Sequence, residues 1–314
     1  MSRNLFYRTL GVGFLALAKG KNLLKGYDRA RPFSSAEVDR SVAYDIRVVD
    51  EWLDMLGEYT GAPATPQLEG RTVLELGPGP DLGVALYLLS KGVRQYCAID
   101  AFPLAVKAPP VLHEAMIDRI ASGASKRSRE ELESALARAT RREDDPESPI
   151  RYVVRPDFRI AQAFPPASFD LVFSQAAFEH FDDVDDTIAQ VSAVARPGAT
   201  LIAGIDMQTH SRWLRDKDPL NIYRHGDAVY RAFRFRGMPN RVPDRHEGAP
   251  CRRRRGLPED PGLAAPEVPG RRDPEPVGHG LRAPGAVADG AARHSSGGGF
   301  DRNSEVGIDA VEPW

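Results

Sequence analysis

Short apolar runs alternate along the chain with segments whose apolar residues recur every three or four positions. The runs predict buried parallel strands, because strands covered on both faces are apolar throughout. They lie at residues 72–76, 95–99, 152–154 and 199–204. The periodic segments predict flanking helices. The alternation favours an α/β fold: a three-layer sandwich around a mostly parallel, doubly wound sheet, preceded by N-terminal helices.

Two helices are expected before the first strand. An apolar stretch at residues 10–18 lies between Arg3 and lysines at 19, 21 and 25. This pattern fits a helix packed on the domain, a helix in weak contact with a membrane surface, or a secretory signal. In the second helix, at residues 35–60, Ser34 and Glu37 are spaced as a capping box. An apolar stripe that faces a core consists of Val38, Val42, Ile46, Val49, Trp52, Leu53 and Leu56.

A long insertion separates the second and third strands at residues 103–150. Val111, Met116, Ile117 and Ile120 indicate one helix, and residues 129–142 a second, charged one. Because ligands bind at the carboxyl ends of parallel strands, we expect this insertion to cover the substrate pocket as a lid.

The composition changes near residue 241. Residues 241–314 contain 10 Pro, 12 Gly and 11 Arg but no Lys, and few large apolar residues. Such a segment buries too little apolar surface to fold, so we interpret it as disordered. Out-of-frame reading of GC-rich codons gives similar sequences, which suggests a frameshift; a natural low-complexity linker is the alternative. We therefore divide the chain into a helical segment (1–66), a cofactor-binding domain (67–240) and this tail (241–314).

The residues best suited to bind a ligand follow the ends of the first two predicted strands. The first is followed by Gly77-Pro78-Gly79-Pro80-Asp81, in which two glycines allow a ligand to approach the backbone closely. Asp81 is placed to cap the next helix. Asp100 ends the second strand, where an acid can hydrogen-bond the two hydroxyls of a ribose. A nicotinamide dinucleotide site uses the same geometry, but its fingerprint requires a glycine at position 82, which is leucine here.

The stretch at residues 74–79, Leu-Glu-Leu-Gly-Pro-Gly, resembles the first motif of class I S-adenosylmethionine-dependent methyltransferases, and Ala98-Ile99-Asp100 resembles their second. Residues 168–180 are similar to the fourth strand and following loop of that family. The resemblance covers about residues 70–205 and implies a Rossmann-like sheet with S-adenosylmethionine as the cofactor. A third glycine common in the family is replaced by Asp81. The cofactor-binding residues that the resemblance implies are Glu75, Gly77, Pro78, Gly79, Asp100, Ala101, Asp157, Phe158, Ser174 and Gln175.

His180 is the candidate general base, since an imidazole titrates in the range suited to removing a proton from a hydroxyl or amine. Glu179 beside it can orient the imidazole or bind a metal, although the family has a Glu-His pair here without a catalytic role. We predict no metal site.

Composition limits the remaining choices. A net charge of −2 argues against a nucleic-acid-coating protein, and two cysteines exclude a disulfide scaffold. Three functions stay open. The first is methyl transfer from S-adenosylmethionine to the oxygen or nitrogen of a small molecule. The second is a catalytically impaired remnant that only binds the cofactor, and the third is an NAD-dependent oxidoreductase. A cofactor made in the cytosol implies a cytoplasmic protein, with at most weak membrane contact through the N-terminal helix.

Overall fold

Five parallel strands form one sheet in a computed structural model that describes residues 3–25, 37–141 and 144–239. The strand order is β3-β2-β1-β4-β5, and every pairing is parallel. The strands are β1 (Thr72–Leu76), β2 (Gln95–Asp100), β3 (Ile150–Val154), β4 (Phe169–Gln175) and β5 (Ala195–Gly204). The predicted α/β class and doubly wound parallel sheet are confirmed. The tail at 241–314 lies outside the described residues.

Helices flank the sheet in the order that the periodic segments predict. In the part of the chain that the structure describes they are α1 (Arg3–Lys25), α2 (Val38–Thr60), α3 (Ala64–Leu68), α4 (Gly83–Ser90), α5 (Pro110–Ala121), α6 (Arg129–Ala139), α7 (Ile160–Ala163), α8 (Val184–Val194), α9 (Arg212–Arg215) and α10 (Asp227–Phe233).

One face of the sheet is covered by α2, α4, α5 and α6. The apolar stripe of α2 is buried there as predicted, with Trp52 fully buried and stacked on Phe173 of β4 at 4.8 Å between ring centroids. Helix α2 begins with Glu37 at its N-cap position and no side-chain cap, so the expected capping box does not start this helix. Ser34, its other member, lies outside the described residues. The helix ends at Gly61, which adopts the left-handed conformation with φ +68°.

The insertion between β2 and β3 forms part of this same layer, and the expected lid is wrong. Met116, Ile117 and Ile120 of α5 and Leu132 of α6 are buried in the core that also contains the sheet. Burial of their apolar side chains against α4 and the sheet keeps both helices on the face of the sheet. They serve as the crossover connection that parallel strands require.

The opposite face is covered by α7 and α8, which completes the three layers. Ile160, Phe164, Val191 and Val194 from these helices and their ends pack with residues of β1, β2 and β4 in a second core. Helix α8 is capped by Asp183, whose side chain accepts a hydrogen bond from the backbone N–H of Asp186.

Helix α1 packs on the segment that follows β5. Its Tyr7 carbonyl accepts a hydrogen bond of 3.0 Å from Asn221, and Lys19 donates one of 2.6 Å to the carbonyl of Ala232. These contacts agree with the packed-helix interpretation. The helix still exposes Leu17 and Leu24. Within the described ranges, no helix has the length and apolar character needed to cross a membrane.

Candidate functional site

The turn after β1 has the backbone conformation that its glycines predict. Gly77 and Gly79 have φ values of +70° and +76°, a region that residues with a Cβ rarely adopt. A Cβ on Gly77 would lie 2.9 Å from the Cβ of Ala177, whereas one on Gly79 would meet no atom within 4 Å. The turn therefore packs against the loop after β4 at Gly77 and leaves open space at Gly79.

The turn lies at the point where the strand order reverses. From β1 the chain continues to β2 and β3 on one side, and it returns to β4 and β5 on the other. In open parallel sheets this reversal creates a crevice at the carboxyl ends of the strands, and ligands bind in it. Here the crevice lies between the loops that follow β1 and β4.

Asp100 faces the same turn from the end of β2. One carboxylate oxygen accepts a hydrogen bond of 3.3 Å from the backbone N–H of Gly79, and the other accepts one of 3.0 Å from that of Phe102. Burial raises the pKa of Asp100 to about 6, although these hydrogen bonds oppose the shift. The carboxyl group is therefore held by the backbone beside the open space at Gly79.

Three further carboxyl groups are buried around the turn: Glu75, Asp81 and Asp45. Burial raises the pKa of Glu75 to about 8 even though Tyr96 donates a 2.5 Å hydrogen bond to it. Burial also raises the pKa values of Asp81 and Asp45, and the Asp81 carboxyl raises that of Asp45 further. Together with Asp100, these groups create a negative potential at the turn when they ionise.

Asp45 and His113 are two site residues that sequence analysis missed. His113 of α5 accepts a hydrogen bond of 3.3 Å from the backbone N–H of Leu82, at the start of α4. For Asp45 a signal was available. It lies between Val42 and Val49 at helical spacing, so it is an acid on the apolar face of α2. A buried acid in such a stripe indicates a polar site below it.

Asp81 does not occupy the N-cap position that we predicted. Helix α4 begins at Gly83 with Leu82 at the N-cap. Asp81 is one residue earlier, and its carboxylate accepts a 2.8 Å hydrogen bond from the backbone N–H of Gly83. The acid still satisfies a free N–H group of the first turn, which is what a capping residue does.

Two of the expected cofactor-binding residues, Asp157 and Phe158, follow β3, which pairs with β2 so that Val154 lies opposite Asp100. Phe158 has a φ of +51° and packs on Phe181 with ring centroids 4.9 Å apart. Asp157 is exposed and forms a two-oxygen ion pair with Arg155, which lowers its pKa to about 2. Its carboxylate is thus already engaged by a neighbouring side chain.

The remaining predicted residues line the same edge of the sheet. Ser174 is fully buried and donates a 3.2 Å hydrogen bond to the carbonyl of Leu76, so it ties β4 to the end of β1. Gln175 ends β4 beside Gly204, where a Cβ would lie 2.2 Å from its side-chain oxygen. Pro78 and Ala101 are half-buried at the ends of β1 and β2.

His180 lies beyond β4, in a single helical turn at Phe178–His180. Its Nδ1 is 3.0 Å from the carbonyl of Gly237, and its ring meets that of His210 edge to face at 5.1 Å between centroids. Burial lowers the pKa of His180, so its imidazole is neutral at pH 7. The second histidine belongs to the loop after β5.

Comparison with known proteins gives one family match in the second half of the sheet domain. Residues 126–203 match the family model of a methyltransferase domain, which spans β3 to β5 and does not reach Gly77 or Asp100. No curated protein matches the chain.

Solved structures with a similar fold include an S-adenosylmethionine-dependent methyltransferase from Mesorhizobium loti, at 18% identity and a TM-score of 0.27, covering 46% of this chain and 52% of that one. The YcgJ protein from Bacillus subtilis shows 17% identity and a TM-score of 0.27, over 44% and 47% of the chains. Phosphoethanolamine N-methyltransferase 2 from Haemonchus contortus, solved with S-adenosyl-L-methionine, shows 16% identity and a TM-score of 0.33, over 61% and 36%. The similarity thus spans about half the length of the first two structures.

The strand order and the match at residues 126–203 confirm the resemblance to class I methyltransferases. The match also supports S-adenosylmethionine as the cofactor. The roles of individual residues have to be argued from the chain's own geometry.

Proposed function

We propose that this protein transfers the methyl group of S-adenosylmethionine to an oxygen or nitrogen of a small-molecule acceptor. The main support is the position of Asp100, whose carboxylate accepts a hydrogen bond from the backbone N–H of Gly79 beside the open space at that glycine. Its pKa of about 6 leaves it mostly ionised at pH 7, so it can accept hydrogen bonds from ribose hydroxyls. Leucine at position 82, where the dinucleotide fingerprint requires glycine, argues against the oxidoreductase alternative.

The turn supplies the shape that this ligand requires. The open space at Gly79 lets the amino-acid part of the cofactor approach the backbone, and Asp100 would accept hydrogen bonds from the ribose hydroxyls. The ring of Phe158, on the same edge, would contact the adenine. The loops after β4 and β5, which lie at the same edge of the sheet, would then border the place where the acceptor enters.

His180 is the proposed proton acceptor. S-adenosylmethionine would supply a methyl group activated by its sulfonium and would leave as S-adenosylhomocysteine, while the oxygen or nitrogen that takes the methyl group would lose its proton. A neutral His180 whose Nδ1 faces the carbonyl of Gly237 keeps the lone pair of Nε2 for that proton. Because the sulfonium is already activated, correct positioning of the acceptor supplies much of the rate, and His180 would contribute about 10²-fold or more.

A cofactor-binding remnant is the second candidate, because β5 is the last strand of the sheet within the described residues. Its Leu201 is 37% exposed at that edge. Family members normally carry further strands there. A protein that lacks them would keep the turn and Asp100 but lose part of the acceptor site.

Two measurements separate these functions. Titration calorimetry of the full chain with S-adenosylhomocysteine and, separately, with NAD should show binding of the first and no heat from the second. Transfer of a labelled methyl group to compounds of a small-molecule extract should then reveal the acceptor. Binding without any transfer would favour the remnant, and binding of NAD alone would refute the methyltransferase proposal.

Contact of α1 with a membrane surface stays a prediction. The exposed Leu17, Leu23 and Leu24 lie on the same helix as Lys19 and Lys21, a combination that suits the boundary of an anionic membrane. Co-sedimentation with anionic and neutral vesicles would test it.

A further inference from the structure

Three side chains with metal-ligating atoms meet beside the acceptor region. Glu179 and His180 belong to the turn at Phe178–His180 after β4, and His210 belongs to the loop after β5. One carboxylate oxygen and one nitrogen from each ring all lie within 4.8 Å of one another. The two loops are brought together by the pairing of β4 with β5, so the cluster depends on the tertiary fold.

Glu179 has no charged partner that would account for its burial. The residue is 1% exposed, and its carboxylate forms no side-chain hydrogen bond or ion pair among the described residues. Only the backbone N–H groups of Glu179 and Asp206 are near enough to lower its pKa. Buried carboxylates are normally paired, hydrogen-bonded or bound to a metal, because removing an isolated charge from water is costly. Burial accordingly raises the pKa of Glu179 to about 7. A cation beside it would remove that penalty.

Both histidines are oriented as metal ligands usually are. The Nδ1 of His180 lies 3.0 Å from the carbonyl of Gly237, and that of His210 lies 3.1 Å from the carbonyl of Gln208. A carbonyl only accepts, so Nδ1 carries the proton in each ring and Nε2 keeps a lone pair. Burial lowers the pKa of both imidazoles, that of His210 to about 4, so both are neutral at pH 7.

We propose that Glu179, His180 and His210 bind one divalent transition-metal ion, with Zn²⁺ as the reference case. Two imidazoles and one carboxylate suit zinc and its neighbours, whereas magnesium and calcium prefer oxygen ligands throughout. Ligand bonds of about 2.0–2.2 Å require the three atoms to be roughly 3–3.5 Å apart, so separations of up to 4.8 Å would have to shorten by as much as about 1.3–1.8 Å on binding.

Charged side chains near the cluster both favour and oppose the binding of a cation. The carboxylate of Asp206, in the loop after β5, is close enough to raise the pKa of Glu179 and of both histidines, and its negative charge favours a cation. Arg215 opposes it, since its positive charge lowers the pKa of His210. Three protein ligands leave positions open on the ion. If the proposed methyl transfer holds, these positions would bind an acceptor through its own oxygen atoms. Because the ion would occupy the Nε2 lone pair of His180, it would replace that imidazole in the proton step by lowering the pKa of the bound acceptor.

The test is metal binding by the full chain after removal of metals with a chelator and dialysis. Zn²⁺ is titrated by calorimetry, and Co²⁺ by its visible absorption, which reports the coordination directly. The variants are Glu179→Gln and His210→Gln. Glu51→Gln, a change on the exposed side of α2, is the matched control. We expect one strong site in the unaltered chain and in the control, weakened at least 30-fold in each site variant, with the Co²⁺ bands lost.

Equal affinity and equal spectra in all four proteins would overturn the proposal, as would the absence of a strong site in the unaltered chain. Circular dichroism of each variant guards against misfolding, and His210→Gln in its loop carries the test if Glu179→Gln does not fold. Titration with S-adenosylhomocysteine separates the two proposals. Zinc binding without nucleoside binding would leave the metal site standing and remove the methyltransferase function, and the reverse result would do the opposite.

Discussion

If Asp100 binds the cofactor as proposed, its pKa makes the affinity for the cofactor depend on pH in a defined way. Its carboxyl group titrates at about 6 because it is buried, and its two oxygens accept from the N–H groups of Gly79 and Phe102. The ribose hydroxyls donate best to the ionised form. Lowering the pH through 6 should therefore weaken binding, whereas raising it above 7 should add little through this residue.

The size of the effect follows from that pKa. About 90% of the carboxyl groups are ionised at pH 7 and about 10% at pH 5, so affinity should fall about ninefold over this range. Replacement by asparagine removes the charge and turns an NH₂ group toward one of the two backbone N–H donors. Hydrogen bonds to charged groups contribute about 1.5–3 kcal/mol, so Asp100→Asn should weaken S-adenosylhomocysteine binding by about 12- to 150-fold.

Calorimetric titration with S-adenosylhomocysteine at pH 5, 6 and 7 measures both quantities. Glu75 also titrates near the working range, with a pKa of about 8, so the comparison between proteins isolates Asp100. Asp54→Asn, on the exposed side of α2, serves as the control with the same chemical change. Equal pH slopes in the unaltered protein and in Asp100→Asn would refute the assigned role of this carboxylate, as would unchanged affinity in a folded variant.

Three further predictions concern stability. Trp52→Ala removes a fully buried ring stacked on Phe173 and should lower the free energy of unfolding by about 3–5 kcal/mol in urea denaturation; a loss below 1 kcal/mol would contradict the packing. Gly77→Ala should cost more than Gly79→Ala, because both have positive φ but only the first places a methyl group 2.9 Å from another; the thermal midpoints of the two variants decide it. Asp45 has a raised pKa, so its contribution is complete below pH 4 and is lost as the pH rises through the folded-state pKa. Asp45→Asn should therefore gain stability relative to the unaltered protein between pH 5 and pH 8, and an unchanged difference would show that this carboxyl does not titrate there.

The structure contradicts the expectation that residues 103–150 form a lid, because the helices of this insertion are buried in the core. The apolar spacing in residues 103–150 predicted helices, and helices form, but spacing does not say which surface they cover. Met116 and Leu132 lie in the core beside the sheet. The hydrophobic effect has no preferred direction, so the same apolar residues could equally be buried beneath a lid.

The sequence by itself determined the strands, the sheet class and the glycine turn with Asp100, because these depend on local patterns: continuous apolar runs, paired glycines and an acid at a strand end. Only the tertiary structure decided that Asp45 reaches the turn from α2 and that His210 meets Glu179 and His180 from the next loop. These residues are far apart in the chain, and β-strand pairing and helix packing bring them together. Their burial then changes their pKa values, and that change is a property of the folded environment, not of the residues alone.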